Sequence, residues 1–454
     1  MMAGKSTSVL HQLAEHLVRF GKKQGADEIE ITILEGTEYT VDVRMGTIEN
    51  LTEAGSRSIG LKLIKDQKTA FASSSDLSET RLFALIGNAV IRAELATPDE
   101  CAGLPEQTGS TTDGSALRLF DPELSTLDSK QKIDLALETE KIALSDRRIT
   151  NSHGSSFATR EMRTILVNSK GFSQEYSETY FSLSVGLQAG ETDEKVEDYW
   201  SSSKRFFKDL ESPEDIAKKA VQRTVRQLFP RKIKTQNAPV VFEPRMTSWL
   251  LGFLFSCVSG MAVYRKTSFL AEKLGKKIAG SQISVFDDGL LPEKLGSLPF
   301  DSEGVCTQRT PVIKNGILKN FLCNTYAARK LNLQSTGNAD GNSVGPTNFY
   351  LMPGKCPPEN MISSLDRGLI LTRTLGHGLN PVNGDISRGA FGLWVEKGEI
   401  VYPVSEITIS GNLGKILMEI EELGDDLEFR SAIAGPTLKV AELTIAGKED
   451  QNLL

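Results

Sequence analysis

From Met246 to Tyr264 the chain carries no charged side chain. A run of roughly 19 such residues must sit in a bilayer or deep inside a large fold, since it is close to the length of a membrane-spanning helix. Thr247, Ser248, Gly252, Ser256, Ser259 and Gly260 interrupt the run, and charged residues crowd both flanks. The strongly apolar part is therefore too short to cross a bilayer, and the segment reads as a buried central helix. Ser248, Gly252, Ser256 and Gly260 recur every four residues. On a helix they share one line and leave a shallow groove. That groove either admits a neighbouring backbone or lines a substrate cleft.

The rest of the composition suits a large soluble fold around such a helix. With 454 residues, about two to four domains are expected. A 39% hydrophobic and 24% charged content excludes a disordered or collagen-like chain. The net charge of -7 gives no global electrostatic reason to bind nucleic acid or an anionic membrane. Five cysteines, Cys101, Cys257, Cys306, Cys323 and Cys356, are widely spaced without a C-x-x-C. That argues against a disulfide framework or zinc ribbon and suits a reducing cytoplasm. The four histidines, His11, His16, His153 and His377, are too few for a His-rich metal centre. The basic start has no apolar run behind it and does not read as a secretory signal. A cytoplasmic protein is expected.

Periodicity predicts an α+β fold. Leu10, Leu13, Ala14, Leu17 and Val18 fall on one helical stripe. Two alternating strands follow, from Glu28 to Leu34 and from Glu38 to Arg44, then strands at Ile59–Ile64 and Thr69–Phe71, each with one wet face. Ser78 is placed to cap a second helix carrying Leu82, Leu85, Ile86, Ala89, Val90 and Ala93. The order recurs downstream. A helix stripe (Ile133, Ala136, Leu137, Ala143, Leu144) precedes alternating stretches at 163–167, 174–188 and 200–208, and Ser212-Pro213 opens another helix. The first half thus reads as two helix–antiparallel meander–helix units, residues 1–97 and 127–230, joined by a Pro- and Gly-rich linker at 98–126. Residues 231–454 read as a mainly antiparallel β domain around the central helix. Asn315-Gly316 and Lys397-Gly398 mark tight hairpins, Leu413 to Leu423 reads as a helix stopped at Gly424, and Leu438 to Ile445 as a closing strand. There is no alternating βαβ series, no G-x-G-x-x-G and no P-loop.

Several residues could carry chemistry. His377 lies between glycines, and without a paired acid or nucleophile it reads as a turn-stabilising residue or a functional loop histidine. Asp287-Asp288 and Asp301/Glu303 could bind a cation or act as acid and base, and both pairs also have turn composition. Cys257, inside an apolar helix, reads as a small buried hydrophobe rather than a nucleophile.

An ordered set of motifs in the second half carries a family resemblance. It comprises Phe300-Asp-Ser-Glu-Gly304, Lys314-Asn-Gly-Ile-Leu-Lys-Asn-Phe-Leu322, Tyr326-Ala-Ala-Arg-Lys-Leu-Asn332 with Ser335-Thr-Gly-Asn338, and Thr347-Asn-Phe-Tyr-Leu-Met-Pro-Gly354. Gly376-His-Gly-Leu-Asn-Pro-Val-Asn-Gly-Asp-Ile-Ser387 and Pro403-Val-Ser-Glu-Ile-Thr-Ile-Ser-Gly-Asn-Leu413 complete it. The chain resembles the bacterial PmbA/TldD family, described as modulators of DNA gyrase and as a microcin-processing protease system. The first half fits the family in length and element order. The TldD-like branch is similar to metalloproteases with a His-Glu-x-x-x-His helix and a cysteine near the C-terminus. Aligned through Gly260, those six positions are Ser256 to Met261, so Ser256 and Met261 stand where the histidines would be and Cys257 where the glutamate would be. Serine is a poor zinc ligand and methionine prefers softer metals. Arg430-Ser-Ala-Ile-Ala-Gly-Pro436 offers no cysteine.

That departure resembles the PmbA branch, also called TldE. It implies a non-catalytic subunit of a TldD/TldE-type metalloprotease complex that processes or degrades unfolded peptides, as in microcin or antitoxin maturation. No cofactor is expected on this chain, with zinc only on a TldD-like partner. A homodimer is the expected association when that partner is absent. Two alternatives stand beside it. One is an active hydrolase using a non-zinc site around His377, Asp301 and Glu303. The other is a non-proteolytic modulator that binds a DNA-handling protein.

Overall fold

The computed structural model describes residues 9–106, 114–191 and 195–447, so part of the expected linker and both chain ends lie outside the described residues. The first unit runs α1 (Val9–Lys23), β1 (Glu28–Arg44), β2 (Thr47–Lys65), β3 (Lys68–Ser74) and α2 (Glu79–Leu95). The second repeats that order as α3 (Ser129–Leu144), β4 (Ile149–Asn168), β5 (Ser173–Ala189), β6 (Val196–Lys204) and α4 (Pro213–Val225). The two units share one six-stranded sheet in the order β3-β2-β1-β4-β5-β6. Their first strands pair antiparallel, Ile31 opposite Val167 and Tyr39 opposite Thr159. The sheet therefore reads third, second, first, first, second, third from either edge.

Alternation along β1 explains the layering. Ile29, Ile31 and Ile33 are buried with Ala14 and Leu17 of α1 and Leu82 and Ile86 of α2. Tyr39, Val41 and Val43, on the same side of the strand, are buried with Ala136 of α3 and Ile216 and Ala220 of α4. All four helices thus cover one face, and each buried isoleucine contributes about 1.5–3 kcal/mol. The opposite face of β1 carries Glu30, Thr32 and Leu34 toward the second half of the chain.

Two expected strands prove to be one. Glu35, Gly36 and Thr37 interrupt the apolar alternation, but they pair with Arg57, Ser56 and Gly55 on one side and with Arg163, Met162 and Glu161 on the other. Ladders on both edges hold the strand through its polar middle. Residues 47–57 of β2 escaped the sequence reading because their side chains are exposed on both faces. Ser78 occupies the expected cap position of α2, but its side chain makes no capping bond. Ser212 does cap, accepting from the Asp215 amide.

In the second half the strand Gln236–Phe242 pairs with Arg367–Leu375 and with Leu438–Ala446. Leu438–Ala446 pairs with Glu399–Asn412, that strand with Asp385–Glu396, and that one back with Arg367–Leu375, closing five strands into a ring. Both hairpin expectations hold: Asn315 and Gly316 have φ of 50° and 79°, and Lys397 and Gly398 of 52° and 79°. The helix expected from Leu413 to Leu423 ends at Met418, and Ile420–Leu423 is instead a strand on Leu438–Ala446. A spacing of three suits either form over so short a run, and the neighbouring strand decides.

The uncharged segment is also two elements. α5 spans Pro244–Val258 and α6 Gly260–Tyr264, separated by an extended Ser259 (φ -62°, ψ 124°). Leu250, Leu254, Cys257 and Val258 of α5 are at most 1% exposed in the large core of the second half. The break follows from a close approach. The Gly260 amide donates to the Leu322 carbonyl at 2.7 Å, and a Cβ at Gly260 would stand 2.5 Å from Cys323 Sγ. The four small residues therefore do not form one continuous line. Among the described residues no helix is long and apolar enough to cross a membrane.

Asp99 to Leu104 of the expected linker form a strap packed against the second half, whereas Pro122–Thr126 is a short helix whose cap, Asp121, accepts from the Phe207 amide of the first half. The Asp99 carboxylate accepts from Tyr326 Oη at 2.7 Å and Lys330 Nζ at 2.8 Å. The Arg329 guanidinium donates to the carbonyls of Cys101 and Leu104, and Leu104 is fully buried. The lysine bond holds the Asp99 carboxyl down at about 2.

Candidate binding cavity between the two halves

The helix-free face of the six-stranded sheet and loops of the second half enclose a cavity of about 830 Å³. The Phe300–Gly304 motif closes one wall, its aromatic ring and its two acids held by different forces. Phe300 packs edge-on against Phe172 and Tyr176 of the first half, with ring centres 5.0 and 5.2 Å away. Asp301 accepts from the amides of Glu303 (2.9 Å) and Val305 (3.0 Å) within its own turn, and from Ala339 at 2.8 Å. Glu303 accepts from the Thr325 amide at 2.8 Å and pairs with Lys62 of β2 at 3.1 Å. The turn composition is thus real, and the same carboxylates are buried on the cavity wall.

Glu30 of β1 stands in the same corner. Burial, opposed by Lys62 and reinforced by Glu303 and Asp301, pushes its carboxyl up to about 8. Burial and then Glu303 push Asp301 up to about 7, against the three amides. By sequence alone Glu30 and Lys62 belong to strands with one wet face. Alternation places residue 30 on the face away from Ile29 and Ile31, and the structure turns that face toward the second half rather than solvent.

A smaller cavity of about 300 Å³ shares Lys62, Phe71, Glu303, Gly341 and Asn342 with the larger one, and Met261 lines it. The other candidates lie apart. His377 is exposed on the loop after the strand Arg367–Leu375 and lines neither cavity, so the structure does not bring it to Asp301 and Glu303. Asp287 and Asp288 sit in the strand Val285–Asp288 rather than in a turn. Asp287 is a buried brace, accepting from Asn338 Nδ2 at 2.7 Å and from the amide and hydroxyl of Thr347. Burial raises it to about 6.

Three stretches of the chain match known domains: residues 29–93 the PmbA/TldA metallopeptidase domain 1, 122–228 the central domain and 235–447 the C-terminal domain. The chain belongs to the PmbA/TldD family. Metalloprotease PmbA of Escherichia coli O157:H7 is 37% identical over 94% of this chain and 93% of that protein. A crystal structure from Thermotoga maritima, of a candidate modulator of a DNA gyrase, superposes with a TM-score of 0.89 at 27% identity, covering 96% of this chain and 100% of that one. TldE from Thermococcus kodakarensis shares the fold, with a TM-score of 0.87 at 24% identity over 96% and 100% of the two chains. PmbA/TldD membership and relatives named metalloproteases tie the chain, at family level, to proteolysis.

The metal implied by a metallopeptidase family does not fit the residues present. Ser256 is exposed and its hydroxyl donates back to the Phe253 carbonyl at 2.7 Å. Cys257 is fully buried, and burial pushes its thiol up to about 11, far from the thiolate a metal needs. Met261 lies beyond the break at Ser259, so the three positions do not share one helical face. Residues 430–436 pack on α5, with Ile433 Cδ1 3.8 Å from a Cβ built at Gly252, and they bring no thiol or imidazole. Among the described residues no three His, Cys, Asp or Glu side chains converge as metal ligands.

Proposed function

We propose that this chain is the metal-free subunit of a two-chain TldD/TldE-type complex that processes unfolded peptides in the cytoplasm. The reading rests on the mismatch at Ser256, Cys257 and Met261. The family's fold is kept, while the positions of the zinc helix hold an exposed hydroxyl, a buried thiol and a thioether beyond a helix break. In this role the chain supplies walls rather than a nucleophile. Its cavity has apolar flanks and a polar corner, which suits holding an extended peptide, while the partner's zinc-bound water attacks the peptide bond.

Two measurements on purified protein test the reading. The chain alone should hold no stoichiometric zinc by elemental analysis and cleave no unfolded peptide. Mixed with a chain of the same genome that carries His-Glu-x-x-x-His, it should co-purify and support cleavage. One tightly bound zinc per chain in the isolated protein would defeat the proposal.

A further inference from the structure

The corner of the large cavity contains a polar atom that the fold leaves unmet. Glu30 is 5% exposed, and its Oε2 is buried without a hydrogen-bond partner. The side chain nonetheless lines the cavity, because Ile29 and Ile31 take the helix face of β1. A buried polar group without a partner is costly, and a ligand that reaches it offsets that cost.

The surrounding charges define what that something is. Lys62 from β2 is committed to Glu303 at 3.1 Å. Glu303 also accepts the Thr325 amide, and Asp301 accepts three backbone amides. From β5, Tyr176 and Glu178 face the same cavity, and Glu178 pairs with Arg205 at 2.8 Å. Three carboxyls therefore meet one lysine in this corner, and of the three only Glu30 has an acceptor atom to spare. In the free chain, protons balance the excess negative charge, since burial raises both Glu30 and Asp301. Beyond the corner the walls carry Leu34, Phe71, Leu166, Leu298 and Phe300, interspersed with neutral polar residues such as Thr32 and Thr164.

We propose that Glu30, backed by Glu303 and Asp301, forms a subsite for the basic side chain of a lysine or arginine in an extended peptide. The ammonium or guanidinium N–H groups donate to Glu30 Oε2, and the aliphatic stem lies along the apolar wall. As the cation enters, the Glu30 carboxyl releases its proton to solvent, so the net charge of the corner is unchanged. The proposal deepens the reading of this cavity as a peptide site, and rests on that reading only for the ligand being a peptide.

Calorimetric titration of the full chain tests it, with a capped pentapeptide Ala-Phe-Lys-Phe-Ala and its norleucine analogue as probes. Each is measured at pH 7 in two buffers of different ionisation heat. The lysine peptide should bind at least about tenfold tighter, the effect of one charge-assisted hydrogen bond. It should also release about one proton per peptide, and the norleucine peptide none. Glu30→Gln should cut the lysine-over-norleucine preference to below about threefold. Equal binding of the two peptides by the wild type, or an undiminished preference in Glu30→Gln, overturns the subsite alone. Binding of neither peptide overturns the peptide reading of the cavity and the subsite with it. If Glu30→Gln does not fold, the wild-type preference and proton count decide the matter.

Discussion

The uncharged helix keeps the buried role its composition suggests, and the Phe300–Gly304 loop departs from its own. The helix is packing: Leu250, Leu254, Cys257 and Val258 are all but inaccessible. The loop has the composition of a surface turn, and it places buried carboxylates on the wall of an 830 Å³ cavity. The contrast teaches that composition reports what a segment can do locally, whereas the partner surface decides whether its polar groups face water. A buried carboxylate is stabilised when amides or a lysine meet it: Asp301 takes the amides of Glu303, Val305 and Ala339, and Glu303 takes the Thr325 amide and Lys62 of β2.

The comparison can be broken at either end. Asp301→Ala would strip the acceptor from three backbone amides, and we expect a loss of about 4 kcal/mol in urea denaturation. Asp301→Asn, which keeps one acceptor oxygen, should cost roughly half of that. A loss below about 1 kcal/mol for Asp301→Ala would mean that the loop is the surface turn its composition suggests. On the helix side, Gly260→Val should cost about 3 kcal/mol, because the added atoms collide with Cys323 and the Leu322 carbonyl.

A pH series sharpens the contrast next. The folded chain binds the Glu30 proton more tightly than the unfolded chain, whose carboxyl titrates near 4.5, while the folded one titrates at about 8. Its contribution is fully present below 4.5 and is lost as the pH rises through about 8. Asp301 and Asp287 shift in the same direction, so the informative quantity is the difference between variant and wild type. Glu30→Gln should gain on the order of 4 kcal/mol relative to wild type between pH 5 and pH 9, read from urea midpoints. No gain would place Glu30 in solvent. The smallest effects belong to Gly252→Ala and His377→Ala. The first fills open helix surface 3.8 Å from Ile433 and should stabilise by about 0.5–1 kcal/mol. The second alters an exposed loop and should stay within about 0.5 kcal/mol, without changing peptide binding.

Much of the fold was legible where one force dominates. The stripes of α1, α2 and α4, the two hairpins with positive φ at Asn315-Gly316 and Lys397-Gly398, and the closing strand all follow from local pattern. Legibility failed where a neighbour overrode the pattern. β1 runs through its polar middle because two strands flank it. Ile420–Leu423 is a strand because Leu438–Ala446 lies beside it. The central helix breaks at Ser259 because the chain at Leu322 and Cys323 comes too close to Gly260. Of the site, Asp301 and Glu303 were visible as an acidic pair. Glu30 and Lys62 were not, since a charged residue in an alternating strand has the same pattern whether it faces water or another part of the molecule.

The amino-acid sequence by itself determined the α+β class, the family motifs and the side chains present at Ser256, Cys257 and Met261, because local pattern and side-chain identity need no partner surface. Only the tertiary structure decided that two units share one sheet, that the strap from Asp99 to Leu104 binds the halves together, and that Glu30 meets Lys62 and Glu303 in a cavity. Burial and electrostatic coupling are properties of surfaces brought together from distant positions, and no local window of residues contains them.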